Sequence, residues 1–237
     1  MKKIILTLVV FSTIKIFACS CSQFRLTNVI SGIEFIGIVK FKSLKETSIH
    51  SEIYKAEFEI KEQFIGNKNA ELFIESQEGS SCGFLPESGS EYFILAYKNE
   101  NGLLATSFCL ARNVPNNEIL SILREVRESK IYYQTTRNLR QITKKKINSS
   151  LFEKNFKGAF IYEVNLNSNF KVTNLKPFNT RARKNFNENI KQDLTKSFEY
   201  MKMDENLKMK DEVFKTFIIL SWSKNYEEEL VFESTKF

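Results

Sequence analysis

The chain has four cysteines, and their spacing is where its chemistry is concentrated. Two stand together as Cys19-Ser20-Cys21, and Cys82 and Cys109 follow much later. A free thiolate is a nucleophile or metal ligand, whereas a paired cysteine is neither. An even count just behind a leader segment reads as a disulfide framework. Four cysteines allow three pairings. A bridge between Cys19 and Cys21 closes almost nothing and strains the geometry. Joining Cys19 to Cys82 and Cys21 to Cys109 would tie the N-terminal segment across two separate loops. Loops of that length contribute on the order of 4 kcal/mol each in the chain-entropy account.

Few other residues carry chemistry. His50 is the one histidine, in the polar stretch LKETSIHSE, so no His-based zinc site is available. No nucleophile elbow, P-loop or GxGxxG motif occurs. Glu227-Glu228-Glu229 reads as a solvated charge run and Lys144-Lys145-Lys146 as a solvated loop. With the cysteines paired, no thiol nucleophile remains. The expectation is a binding protein, not an enzyme, with no cofactor and no nucleic-acid partner.

Residues 1–18, MKKIILTLVVFSTIKIFA, have a basic start at Lys2 and Lys3, an apolar run from Ile4 to Phe11, and Ala18 before Cys19. That pattern is a secretory signal peptide, too short and interrupted for a membrane span. Its removal takes three lysines from a formal charge of +7, leaving a mild excess that specifies no polyanion. Cleavage after Ala18 leaves Cys19 first, with a free α-amine. The competing chemistry is lipidation, because Ile16-Phe17-Ala18-Cys19 loosely matches a bacterial lipobox. Phe17 departs from that motif, and lipidation would leave an odd number of thiols. A membrane association is expected only if Cys19 is lipidated. Otherwise the protein is expected to be secreted or periplasmic, in the cell envelope.

The elements that must position the cysteines are strands. Ile33–Phe41 is apolar and β-branched, and Glu52–Gln63 alternates Tyr54, Ala56, Phe58 and Ile60 with polar residues. Ala70–Glu75, Tyr92–Tyr97 and Leu103–Phe108 follow, separated by turn residues. Five strands without helical period predict an antiparallel barrel or sandwich. The 22 Phe predict a phenylalanine-rich core.

Cys19-Ser20-Cys21-Ser22, Ser81-Cys82-Gly83-Phe84, Glu91-Tyr92-Phe93-Ile94, Asn101-Gly102-Leu103-Leu104 and Cys109 together resemble the N-terminal domain of tissue inhibitors of metalloproteinases. That domain is a netrin-like OB-fold barrel. The resemblance covers residues 19–112. It implies bridges Cys19–Cys82 and Cys21–Cys109. It also implies an inhibitory ridge of Cys19, Ser20, Cys21, Ser22, Ser80 and Ser81, and a zinc metalloproteinase as partner. The α-amine and carbonyl of Cys19 would bind the protease zinc in trans, and Ser20 would face the specificity pocket. The chain departs from animal members in lacking a third disulfide here and any cysteine after Cys109.

Beyond the barrel, residues 113–150 are expected to be a helix and linker. Ile119, Ile122, Leu123 and Val126 mark an amphipathic helix with Pro115 in its first turn, and Ser129–Ser150 reads as continued helix or linker. Residues 151–237 are expected to form a small α+β domain of order β-β-α-β. Its parts are an alternating strand Gly158–Leu166, a turn at Asn167-Ser168-Asn169 whose asparagines tolerate left-handed conformations, and a return strand Phe170–Leu175. A helix from Thr180 to about Tyr200 and a strand Val213–Trp222 complete it. This part resembles the C-terminal domain of TonB-like proteins, which implies strand-edge binding of a partner. The alternative function is thus an envelope adaptor without inhibitory activity.

Overall fold

The run Phe35-Ile36-Gly37-Ile38-Val39 has no polar side. A computed structural model of the protein shows why: the strand it starts is buried on both faces. Its description covers Cys19, Cys21, 24–47, 52–153, 158–203, 214–224 and 230–234. The leader segment, Ser20, Ser22, His50 and Glu227-Glu228-Glu229 lie outside these residues.

The protein is mostly β, with a closed five-strand barrel and a few helices. Helix α1 (Leu26–Gly32) precedes strands β1 (Phe35–Glu46), β2 (Ile53–Ile65), β3 (Leu72–Glu75), β4 (Glu91–Lys98) and β5 (Leu104–Thr106). The strand order is β1-β2-β3-β5-β4, closed by β4 pairing back to β1. The β3–β5 pair is parallel and the other barrel pairs are antiparallel. This order is consistent with an OB-like barrel. A short strand β6 (Ala111–Arg112) is added beside β4.

Strand alternation divides β1 between two cores. Phe35, Val39 and Phe41 fill the barrel with Leu72, Ile74, Ile94 and Ala96. Ile36 and Ile38 point outward into a second cluster. Gly37 permits the close approach of β2 at a register shift, since a Cβ there would lie 2.9 Å from the Glu62 carbonyl oxygen. Gly66 ends β2 with φ +101°, and a Cβ would meet the Glu34 carbonyl oxygen at 2.6 Å.

The outward cluster is covered by α1, α2 (Asn117–Glu128) and α3 (Ile131–Gln134). Leu120, Ile122, Leu123 and Val126 form the buried stripe of α2. Its N-cap is Asn116, whose side chain accepts from the Ile119 N–H; Pro115 stands just outside the helix. Between Ser129 and Ser150 the chain is not a continuous helix. It holds α3 and a strand β7 (Leu139–Thr143). The edge of β7 is satisfied by α1. Leu139 N–H donates to Ser31 Oγ at 2.7 Å and Gln141 N–H to Asn28 Oδ1 at 2.7 Å.

A four-stranded sheet, ordered β12-β11-β8-β9, comprises β8 (Ala159–Leu166), β9 (Val172–Pro177), β11 (Phe214–Lys224) and β12 (Leu230–Ser234). Ala159, Ile161, Phe217 and Ile219 pack into the same cluster as α1 and α2. Phe160, Tyr162, Val164, Ile218 and Leu220 face the other way. There they meet residues of α4 (Thr180–Asn185), α5 (Glu188–Ser197) and β10 (Phe198–Lys202).

The order is therefore richer than β-β-α-β. The expected long helix is broken because Asn187 caps a new start, its side chain accepting from the Ile190 N–H at 3.0 Å. Asn179, not Thr180, caps α4. Phe198 opens β10, which among the described residues pairs with β7 and not with the main sheet. At the β8–β9 turn the left-handed residue is Phe170, φ 57°. Asn167 instead accepts from the N–H groups of Asn169 and Lys171, and Phe170 stacks on Phe214 at 5.1 Å.

Candidate functional site

Each N-terminal cysteine is joined to a different loop of the barrel. Cys19 bonds Cys82 across a separation of 63 residues, and Cys21 bonds Cys109 across 88. In both bridges the Cα atoms are 5.2 Å apart. Among the described residues no cysteine is free. Two disulfides fit an oxidising compartment. No helix among the described residues is long and apolar enough to cross a membrane.

The Cys82 loop is held by its own polar groups. Ser76 N–H donates to the Glu52 carbonyl at 2.9 Å, and Phe84 N–H returns to the Ser76 carbonyl at 2.8 Å. Between them, Ser80 Oγ donates to the Gln77 carbonyl at 2.8 Å and accepts from the Cys82 N–H at 3.1 Å. Phe84 packs edge-on to Tyr92 of β4 at 5.4 Å. Ser80 thus shapes the loop, while Ser81 beside it is exposed.

The Cys109 loop is a turn closed by Leu110 and Ala111 N–H groups donating to the Ser107 carbonyl. Arg112 Nε donates to the Cys109 carbonyl at 2.8 Å. The Arg112 guanidinium lies 4.6 Å from the Phe24 ring centroid, and burial holds its pKa below the ordinary arginine value. Phe24 leads into α1, so the start of this helix is held against the Arg112 turn.

Of the residues singled out from sequence, the structure brings together Cys19, Cys21, Cys82 and Cys109, with Ser80 and Ser81 on the bridged loop. Ser20 and Ser22 lie outside the described residues. Among the described residues no group of three or more His, Cys, Asp and Glu could hold a metal.

Two polar arrangements were not foreseen. Glu75 accepts from Tyr97 Oη at 2.5 Å and from Asn99 Nδ2 at 3.0 Å, joining β3, β4 and the turn before β5. Glu163 is 5% exposed and lies 2.9 Å from both Lys176 and Lys215 on the neighbouring strands. Burial pushes the Glu163 carboxyl up, but the hydrogen bonds from the two lysines outweigh it and leave it below the ordinary carboxylate value. The sequence signal was an acid and two lysines on adjacent strands, visible only once register is known.

The chain matches no protein-family model and no curated protein.

Proposed function

We propose that the chain is a secreted or envelope-exposed protein-binding protein whose head is the N-terminal segment Cys19-Ser20-Cys21-Ser22 with the Ser80-Ser81 loop. The sharpest form of this reading is inhibition of a zinc metalloproteinase. A signal peptidase cut after Ala18 frees the α-amine of Cys19. That amine and the Cys19 carbonyl are competent zinc ligands, and a catalytic zinc keeps an open position for them. The segment binds in trans and carries no catalytic group of its own.

The observation that carries this reading is the double anchorage of Cys19 and Cys21 on separate barrel loops. Two cysteines pinned before docking lose little further freedom on binding. The barrel order also supports a netrin-like, OB-fold reading of residues 19–112, and the four-stranded sheet with its helices supports a TonB-C-terminal-like reading of 151–237.

The test compares protein starting at Cys19 with protein extended by one alanine, assayed against zinc endopeptidases. Inhibition by the first and not the second supports chelation. Equal inhibition by both, or none by either, overturns it. The adaptor reading is favoured by one observation: β9 pairs only with β8 among the described residues, leaving a sheet edge for strand addition. Partner binding that survives the alanine extension would exclude the Cys19 amine as its site.

A further inference from the structure

Strand β2 runs far past its partner β3. Residues Ile53 to Ala56 pair with β3, but from Glu57 to Ile65 the strand pairs only with β1 among the described residues. Its other side opens onto a groove of about 1160 Å³, whose far wall is α2 and α3. None of the head loops lines this groove.

Its charge is unbalanced. Six cationic side chains line it against the carboxylates Glu57, Glu62 and Glu71. Each of these acids already has a partner: Lys45 for Glu57, Arg124 and Arg127 for Glu62, Lys55 for Glu71. Lys42, Lys68 and Lys130 are exposed and make no ion pair among the described residues. Tyr133 stands 73% exposed on the far wall, edge-on to Tyr132 at 5.1 Å. Tyr132 is itself fixed by Glu34 and the Arg137 guanidinium. The strand edge already accepts an outside donor, since Arg127 Nη1 bonds the Gln63 carbonyl at 3.1 Å.

We propose that the unpaired edge of β2 and its basic groove receive an extended acidic peptide from a partner protein by strand addition. Main-chain hydrogen bonds would supply the pairing, and Lys42, Lys68 and Lys130 would meet the acidic side chains. Register shifts within the β1–β2 pair break the edge into short pieces, which disfavours a long flat strand from a second copy. A second copy would also bring the same positive charge. An unpaired strand edge offers main-chain partners that a peptide backbone can pair with and a phosphate backbone cannot, so a peptide fits better than a nucleic acid.

The experiment is fluorescence polarisation with the full chain and a labelled peptide of alternating Val and Glu. Saturable binding that weakens with added salt is expected. The exposed pair Lys68→Glu with Lys130→Glu should weaken it roughly tenfold or more. The same peptide N-methylated at alternate backbone positions should fail to bind, because it cannot form a ladder. No saturable binding, equal binding of the methylated peptide, an unaffected charge-reversed variant, or tighter binding of a thymidine oligonucleotide would each overturn the proposal. The result is independent of the α-amine of Cys19, because protein extended by one alanine should bind the peptide unchanged.

Discussion

Glu163 shows how one side chain can carry charge through an otherwise apolar interface. Ile161 and Phe217 on the same sheet face are buried among the helices, so the carboxylate is retained only because Lys176 and Lys215 both reach it. The Glu163→Gln variant is expected to lose roughly 2 kcal/mol near neutral pH, a value reduced from that of a fully buried pair because the lysines reach solvent. Because the folded carboxyl titrates below its ordinary value, its stabilisation is complete above the ordinary carboxylate range. It is lost as pH falls through the folded value. Urea unfolding of both proteins should therefore converge only in acid, below the ordinary carboxylate range. A constant difference across pH would show that packing, not charge, holds this residue. The cysteines belong to the same scale. Their type and number predicted a framework, and the pairing Cys19–Cys82 with Cys21–Cys109 is the one that anchors each N-terminal cysteine on a different loop.

Elements followed local pattern wherever pattern and burial agreed. The alternation in β2 and the stripe of α2 were legible because one face of each is solvated or in a groove. The helix after Asn179 was less legible. Phe186, Ile190 and Leu194 keep helical spacing, yet Asn187 interrupts the ladder and starts a second helix. Asparagine competes well for the backbone N–H groups of a helix start. The Asn187→Ala variant is expected to lower stability by about 1 kcal/mol, read as a lower melting temperature, while Asn187→Asp should retain nearly all of it. Equal loss in both would mean that the cap contributes through something other than its acceptor oxygen. Strand β7 was hidden for a different reason. Its sequence Leu-Arg-Gln-Ile-Thr is polar, and half of its pairing comes from α1 side chains instead of a strand.

At the scale of the molecule, one cluster joins the barrel to the C-terminal sheet through α1, α2 and α3. Ser31 sits at this junction, 1% exposed. Its Oγ accepts from the Leu139 N–H at 2.7 Å and donates to the Thr136 carbonyl at 3.1 Å, and its carbonyl accepts from the Asn138 N–H. Glu125 of α2 reaches across as well, to Asn179 and Arg181. The Ser31→Ala variant leaves the Leu139 N–H buried without its acceptor and is expected to lose about 1–3 kcal/mol. Hydrogen exchange should then rise at Leu139 and across β7 and β10 before the barrel strands. Uniform loss of protection over the whole chain would show that the junction has no separate stability.

The sequence alone determined the β character of residues 33–112 and the amphipathic face of α2, because each depends on residue type and spacing along one segment, and the cysteine count pointed to a disulfide framework; the helix α1 was not read from it. Tertiary structure decided the rest. The closure of β4 onto β1, the pairing of β7 with β10 some 60 residues away, and the single-sided pairing of β2 beyond Ala56 are all set by which segments meet. Local period carries no information about such meetings. The basic groove is the clearest case. Lys42, Lys68 and Lys130 are scattered surface lysines along the chain, and only barrel closure beside α2 and α3 places them around one strand edge.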